Sequence, residues 1–122
     1  MKYFMPLIFI FNTSCYDVQR DCEAFKTGTF QSNITIDGQT FVSKFERTTD
    51  LQIEQFDGQI DSASVRWIND CEMIFRTLNP KSRIEKKDIH LKILSTSTTS
   101  YTFEYGYVGD SKKQKGVAKR MD

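Results

Sequence analysis

Three thiols, one imidazole, a few carboxylates and a stripe of aromatic rings are the groups in this chain whose type or spacing could support chemistry. The thiols are Cys15, Cys22 and Cys71. A thiolate can be acylated, can ligate a metal or can pair as a disulfide. A structural metal needs closely spaced Cys and His ligands. Cys22, Cys71 and the sole histidine, His90, are far apart, and no Cys-x-x-Cys spacing occurs. No metal site and no cofactor is therefore expected. His90 could serve as a general base only with a carboxylate or nucleophile placed beside it. Flanked by Ile89 and Leu91, it reads instead as the polar, solvated face of a strand. Asp57, Asp61, Asp70 and Glu72 could supply the two acids of a glycosidase. Asp57 and Asp70 are better explained by turns, and Asp61 and Glu72 by outer-face charge. Phosphate loops, dinucleotide fingerprints and nucleophile elbows are absent. The expectation is a non-catalytic protein, with a hydrolase built on His90 as the outlying alternative.

The rings are more regular. Tyr101, Phe103, Tyr105 and Tyr107 alternate, so one strand carries all four on one face. That face is either the core side of the strand or the wall of a pocket for an apolar ligand, with Trp67 as a further candidate for the lining. Such a stripe could also stack single-stranded nucleic acid. The net charge of +1 supplies no field to attract it, and no nucleic-acid partner is expected.

The elements that would position these groups read as strands. Apolar residues make up 39% of the chain and charged residues 27%, which fits one folded domain rather than a disordered chain. Asp37-Gly38 and Asp57-Gly58 are two-residue hairpin signals. Around them fall a first strand from Phe25 to Phe30 or Ile36, with Gly28 as a bulge or bend, and a second with Phe41, Ser43 and Phe45 on one face. A third spans Leu51 to Phe56, with Leu51 and Ile53 inward and Gln52 and Glu54 outward. A fourth runs from Gln59 to Ile68 with Ala63, Val65 and Trp67 inward. Asn69-Asp70 reads as a third tight turn, leading into a strand from Cys71 to Leu78. Pro80 ends that strand. Residues 81–88 are the one stretch with helical character. Ile89 to Leu94 alternates again, residues 95–100 are a Ser/Thr loop or polar edge, and Tyr101 to Tyr107 follows. Residues 110–122 form a basic end, with Lys112, Lys113, Lys115, Lys119 and Arg120 against Asp110 and Asp122. Around Val117 this end supplies one last polar edge strand. Short sequential turns imply nearest-neighbour antiparallel pairing. The predicted fold is all-β, a single up-and-down meander of 7–8 strands forming a small barrel or half-open barrel.

The first residues stand apart. Met1-Lys2 is a short positive start, residues 3–11 are an apolar run too short to span a bilayer, and Asn12-Thr13-Ser14 leads into Cys15. This arrangement resembles a bacterial lipoprotein signal, although Asn12 stands where that family has an aliphatic residue. The resemblance implies removal of residues 1–14, lipidation of Cys15, a tether over 15–24 and a β domain over 25–122. A lipidated Cys15 leaves Cys22 and Cys71 as the expected disulfide in an oxidising compartment, two free buried thiols being the alternative. Closing that loop is worth about 4 kcal/mol by chain entropy.

Three stretches, CYDVQRDCEAFKTGTF, RWINDCEM and SYTFEYGYVGDSKKQKG, resemble a group of small lipoproteins from flavobacteria-like species. The likeness runs through nearly all of the chain after Ser14. Some members bear the name DNA topoisomerase IV, but a type II topoisomerase subunit is many times longer and carries a cleavage tyrosine in a DNA-cutting domain, so that name implies nothing for this chain. The outline is also similar to a lipocalin, with Gly28-Thr29-Phe30 standing where that family has Gly-x-Trp. These resemblances imply a membrane-anchored lipoprotein of the bacterial cell envelope, at the outer membrane, on its periplasmic or surface face. Its role would be binding or structural, with an envelope protein partner or, as in a lipocalin-like carrier, a small apolar ligand.

Overall fold

The computed structural model describes residues 20–122. The signal segment, Cys15 and most of the expected tether lie outside them. Eight strands follow one another around a closed barrel, each paired antiparallel with its sequence neighbours: β1 (Gly28–Ile36), β2 (Gln39–Arg47), β3 (Leu51–Phe56), β4 (Gln59–Asn69), β5 (Glu72–Thr77), β6 (Ile89–Thr96), β7 (Ser100–Tyr107) and β8 (Gln114–Arg120). The up-and-down meander is thus the fold, and it is closed rather than half-open.

Turn chemistry sets the register. Asp37 and Gly38 both take positive φ, 52° and 78°, as do Asp57 and Gly58, at 51° and 75°. Both residues of a type I′ hairpin need that conformation. The third turn differs from expectation. Asn69 pairs with Glu72, so Asp70 and Cys71 form the turn itself, and a bulge between Trp67 and Asn69 absorbs the slip. Asn69 holds it, its Oδ1 accepting the Cys71 N–H at 2.9 Å. Residues 81–88 form turns rather than a helix, joined by i to i+3 bonds from Lys86 and Lys87 to Arg83 and Ile84.

β8 is no edge strand. It pairs with β7 on one side and β1 on the other, and Ala118, fully buried, faces Ser32 across the seam. The basic end of the chain therefore closes the barrel, leaving no free edge to guard. Gly116 permits this closure. A Cβ there would lie 2.7 Å from Phe103 Cζ and 2.9 Å from Ile34 Cγ1, inside van der Waals contact.

The up-and-down path puts the β1–β2, β3–β4, β5–β6 and β7–β8 connections at one end of the barrel. The other three connections share the opposite end with the chain entry. That second end is plugged. Cys22–Phe25 is a single 3-10 turn, not the start of the first strand, and Cys22 and Phe25 are buried. The domain consequently begins before residue 25, and the stretch expected to be tether includes a core plug. Cys22 is bonded to Cys71, with Cα atoms 5.3 Å apart, within the span a disulfide requires. Phe25 packs on Tyr101 and Phe30 at ring-centroid distances of 5.3 and 6.3 Å.

Candidate functional site

Two arginines hold the plug in place. Arg47, at the end of β2, is 1% exposed. Its Nε donates to the Lys26 carbonyl at 3.1 Å, and one terminal nitrogen donates to the Phe25 carbonyl at 2.5 Å and to the Tyr101 hydroxyl at 3.2 Å. The other terminal nitrogen donates to Gln52 Oε1 at 3.1 Å. Its guanidinium lies 5.1 to 5.7 Å from the ring centroids of Phe30, Phe45, Trp67 and Tyr101. Buried guanidinium is costly unless its donors are used and its faces are covered; here four hydrogen bonds engage all three nitrogens and four rings surround the group. Arg120 of β8 donates to the Ala24 carbonyl and lies over Phe25. The carbonyls that leave the 3-10 turn are thus capped by two cations, while its first residue is held by the disulfide.

Arg47 also explains an inverted strand. It pairs with Gln52, and Phe45 pairs with Glu54, so Gln52 and Glu54 share the inward face of Arg47 and Phe45. Ile53 pairs outward with Glu46 and is exposed. The expected facing of β3 is therefore reversed. Alternation shows that a strand has two faces; it does not say which is inside when the barrel interior is partly polar. Asp61 is corrected by the same geometry. It is in phase with Ala63, Val65 and Trp67 and stands directly opposite Glu54 on the inner wall.

Above the plug the barrel is hollow. A cavity of about 360 Å³, open to solvent at the end opposite the disulfide, lies between Arg47 at its floor and the 81–88 loop at its mouth. Phe45, Ala63, Phe75, Leu91 and Phe103 form apolar wall, and Ile84, Glu85 and Lys87 reach in from the loop. Tyr101, Phe103, Tyr105 and Tyr107 all line it, the first two buried and the last two partly exposed. Trp67, also a candidate for the lining, sits at the closed end beneath Arg47, with Lys26 Nζ 5.2 Å from its ring centroid. It belongs to the core rather than to the cavity.

The charges around the cavity are uneven. Arg47 is spent on the plug. Glu85 accepts the Lys81 N–H at 2.6 Å, and Lys87 Nζ lies 5.5 Å from the Tyr107 ring centroid. Burial, and then the Asp61 charge, push the Glu54 carboxyl above the usual carboxylate range. Burial, followed by Glu54 and Tyr107, raises Tyr105 and keeps its hydroxyl neutral.

His90 has a carboxylate beside it, but on the outer wall. Its ring lies 2.8 Å from Glu72 Oε1. Asn69 first, and His90 after it, hold Glu72 below its ordinary range. Neither residue lines the cavity. Among the described residues no three His, Cys, Asp or Glu side chains converge as a metal-ligand set, and no helix is long and apolar enough to cross a membrane.

Sequence reasoning found the ring stripe and missed Arg47, Glu54 and the plug. A signal for Arg47 was present: it is in phase with Phe41, Ser43 and Phe45.

No family model matches this chain, and no curated protein matches it either. Among solved structures, a redesigned beta barrel aligns with a TM-score of 0.54 and 18% identity, covering 85% of this chain and 98% of its own. At that identity the likeness speaks for the barrel fold alone.

Proposed function

We propose that this protein is a non-catalytic binding protein that takes a small, partly apolar ligand into the open end of its barrel. The observation that carries the reading is the solvent-open cavity of about 360 Å³, walled by Phe45, Ala63, Phe75, Leu91 and Phe103. Its size falls within the range of small-molecule sites, and apolar walls with a few polar groups are what such sites present. A barrel that served only as a spacer would gain from a filled interior.

We further propose that the protein works in the bacterial cell envelope, anchored through lipid on Cys15. The residues around Cys15 support this, and the Cys22–Cys71 disulfide is compatible with an oxidising compartment. The anchor would then precede the plugged end by only a few residues, a reach of at most about 25 Å. The closed end would face the bilayer and the mouth the aqueous side, where a soluble ligand or an envelope protein partner can reach it.

Fluorescence titration with phenylnaphthylamine, a neutral apolar fluorophore, tests the cavity. Saturable binding at one site per chain is expected, and it should be lost in Ala63→Trp, whose ring would occupy the cavity. Equal binding by a folded Ala63→Trp variant would refute the reading. Mass spectrometry of the protein from its native envelope tests the anchor, which fails if Cys15 is present without acyl modification.

A further inference from the structure

We infer that the cavity selects a small amphiphile with a cationic head, an alkylamine or arylalkylamine, seated with its ammonium between Glu54 and Asp61. The inference rests on the cavity being a binding site, as proposed above, and adds the chemical class of the ligand.

Three observations lead to it. First, Glu54 and Asp61 are direct cross-strand partners on the inner wall, and both line the cavity. Like charges directly opposite each other repel, and natural sheets avoid them. Among the described residues neither carboxylate is ion-paired; Asp61 receives only a long 3.4 Å bond from the Gln59 amide, and Glu54 none. Second, the two cations that line the cavity are committed elsewhere. Arg47 donates to two carbonyls, Gln52 and Tyr101, and Lys87 lies over Tyr107. The remaining acid, Glu85, is bonded to the Lys81 N–H. A negative site without its counter-ion is left at one wall. Third, Tyr105 and Tyr107 also line this space. The Tyr105 ring face can attract a cation, while that of Tyr107 already holds Lys87. Deeper in, Ala63, Phe75, Leu91 and Phe103 offer an apolar slot for the tail. An anionic head would meet the carboxylate pair at the mouth, and at the floor an arginine whose hydrogen bonds are largely used. A neutral head would leave the pair uncompensated.

The test is competition for bound phenylnaphthylamine on the full-length, oxidised protein at neutral pH, with octylamine, octanol and octanoate as competitors of equal tail. Charge-assisted hydrogen bonds to an ammonium should make octylamine about tenfold stronger than octanol. Octanoate should be the weakest of the three. In the double variant Glu54→Gln, Asp61→Asn the amine's advantage should shrink to within about threefold of octanol, its fold checked by circular dichroism. The wild-type ranking stands as a test even if that variant does not fold. Competition without preference for charge, or an advantage for octanoate, overturns the cationic-head assignment and leaves the cavity reading intact. Failure of the fluorophore itself to bind overturns the cavity reading and this inference with it.

Discussion

Replacing Arg47 by methionine keeps the unbranched apolar stem of the side chain and removes the guanidinium. Arg47 is 1% exposed, and its bonds run to the Lys26 and Phe25 carbonyls, the Gln52 amide and the Tyr101 hydroxyl. In the variant the two carbonyls and the hydroxyl lose their donor. Each buried group left without a partner costs about 1–3 kcal/mol. Against this, the folded state no longer has to strip water from a guanidinium, a saving of several kcal/mol. The sulfur can also pack on the rings of Phe30, Phe45, Trp67 and Tyr101. We expect a net loss of about 3 kcal/mol, a large part of the stability of a domain this size. For a domain of about 100 residues that lowers Tm by roughly 12–24 °C. The assay is urea and thermal unfolding of the oxidised protein, followed by Trp67 fluorescence. Gln52→Leu, which removes a single more exposed bond, is the control and should cost less than about 1 kcal/mol. Unfolding of Arg47→Met within about 3 °C of the wild type would refute the reasoning. It would mean that the disulfide and ring packing hold the plug without the arginine.

Other outcomes follow from the same geometry. Glu54→Gln should stabilise the protein at neutral pH by about 0.5–1 kcal/mol, because it relieves a like-charge cross-strand pair. The sign follows from a folded pKa raised above the unfolded one: ionisation of Glu54 disfavours folding as pH rises through the raised value. Urea titrations should therefore show the gain at pH 7 and its disappearance below the ordinary carboxylate range. Cys71→Ser should lose about 2–5 kcal/mol, since the bond closes a sequence separation of 49 residues; an unchanged urea midpoint would contradict that. Gly116→Ala should cost about 1–3 kcal/mol by overpacking Phe103, Ile34 and the Asn33 carbonyl at the barrel seam, read from the same melts.

The strands were legible because their ends are written in turn chemistry. Asp37-Gly38 and Asp57-Gly58 fix two hairpins, and the alternation of Tyr101, Phe103, Tyr105 and Tyr107 fixes an inner face. The interior was harder to read. Apolar alternation assigns the inside correctly only where the inside is dry. Along the cavity the inner wall carries Gln52, Glu54 and Asp61, so alternation alone points the wrong face of β3 inward. Arg47 escaped notice because a charged residue is seldom fully buried. Its stabilisation comes from Phe25, Lys26 and Tyr101, partners widely separated in sequence. The plug itself is one 3-10 turn, too short to show a period, and its position depends on a disulfide and two arginines that only the fold brings together.

The most direct measurement of the central claim is an amide-resolved NMR titration of the oxidised protein with octanol, a neutral probe that assumes nothing about charge. A ligand in the barrel mouth should shift Ala63, Phe75, Leu91, Phe103 and Tyr105, which line the cavity. The competing location is the outer wall near the Asp57-Gly58 hairpin, where Val42 and Ile60 are 48% and 64% exposed. Saturable shifts confined to the cavity residues are the expected result. Shifts that cluster at Val42 and Ile60, or that grow linearly without saturation, would contradict a binding site inside the barrel.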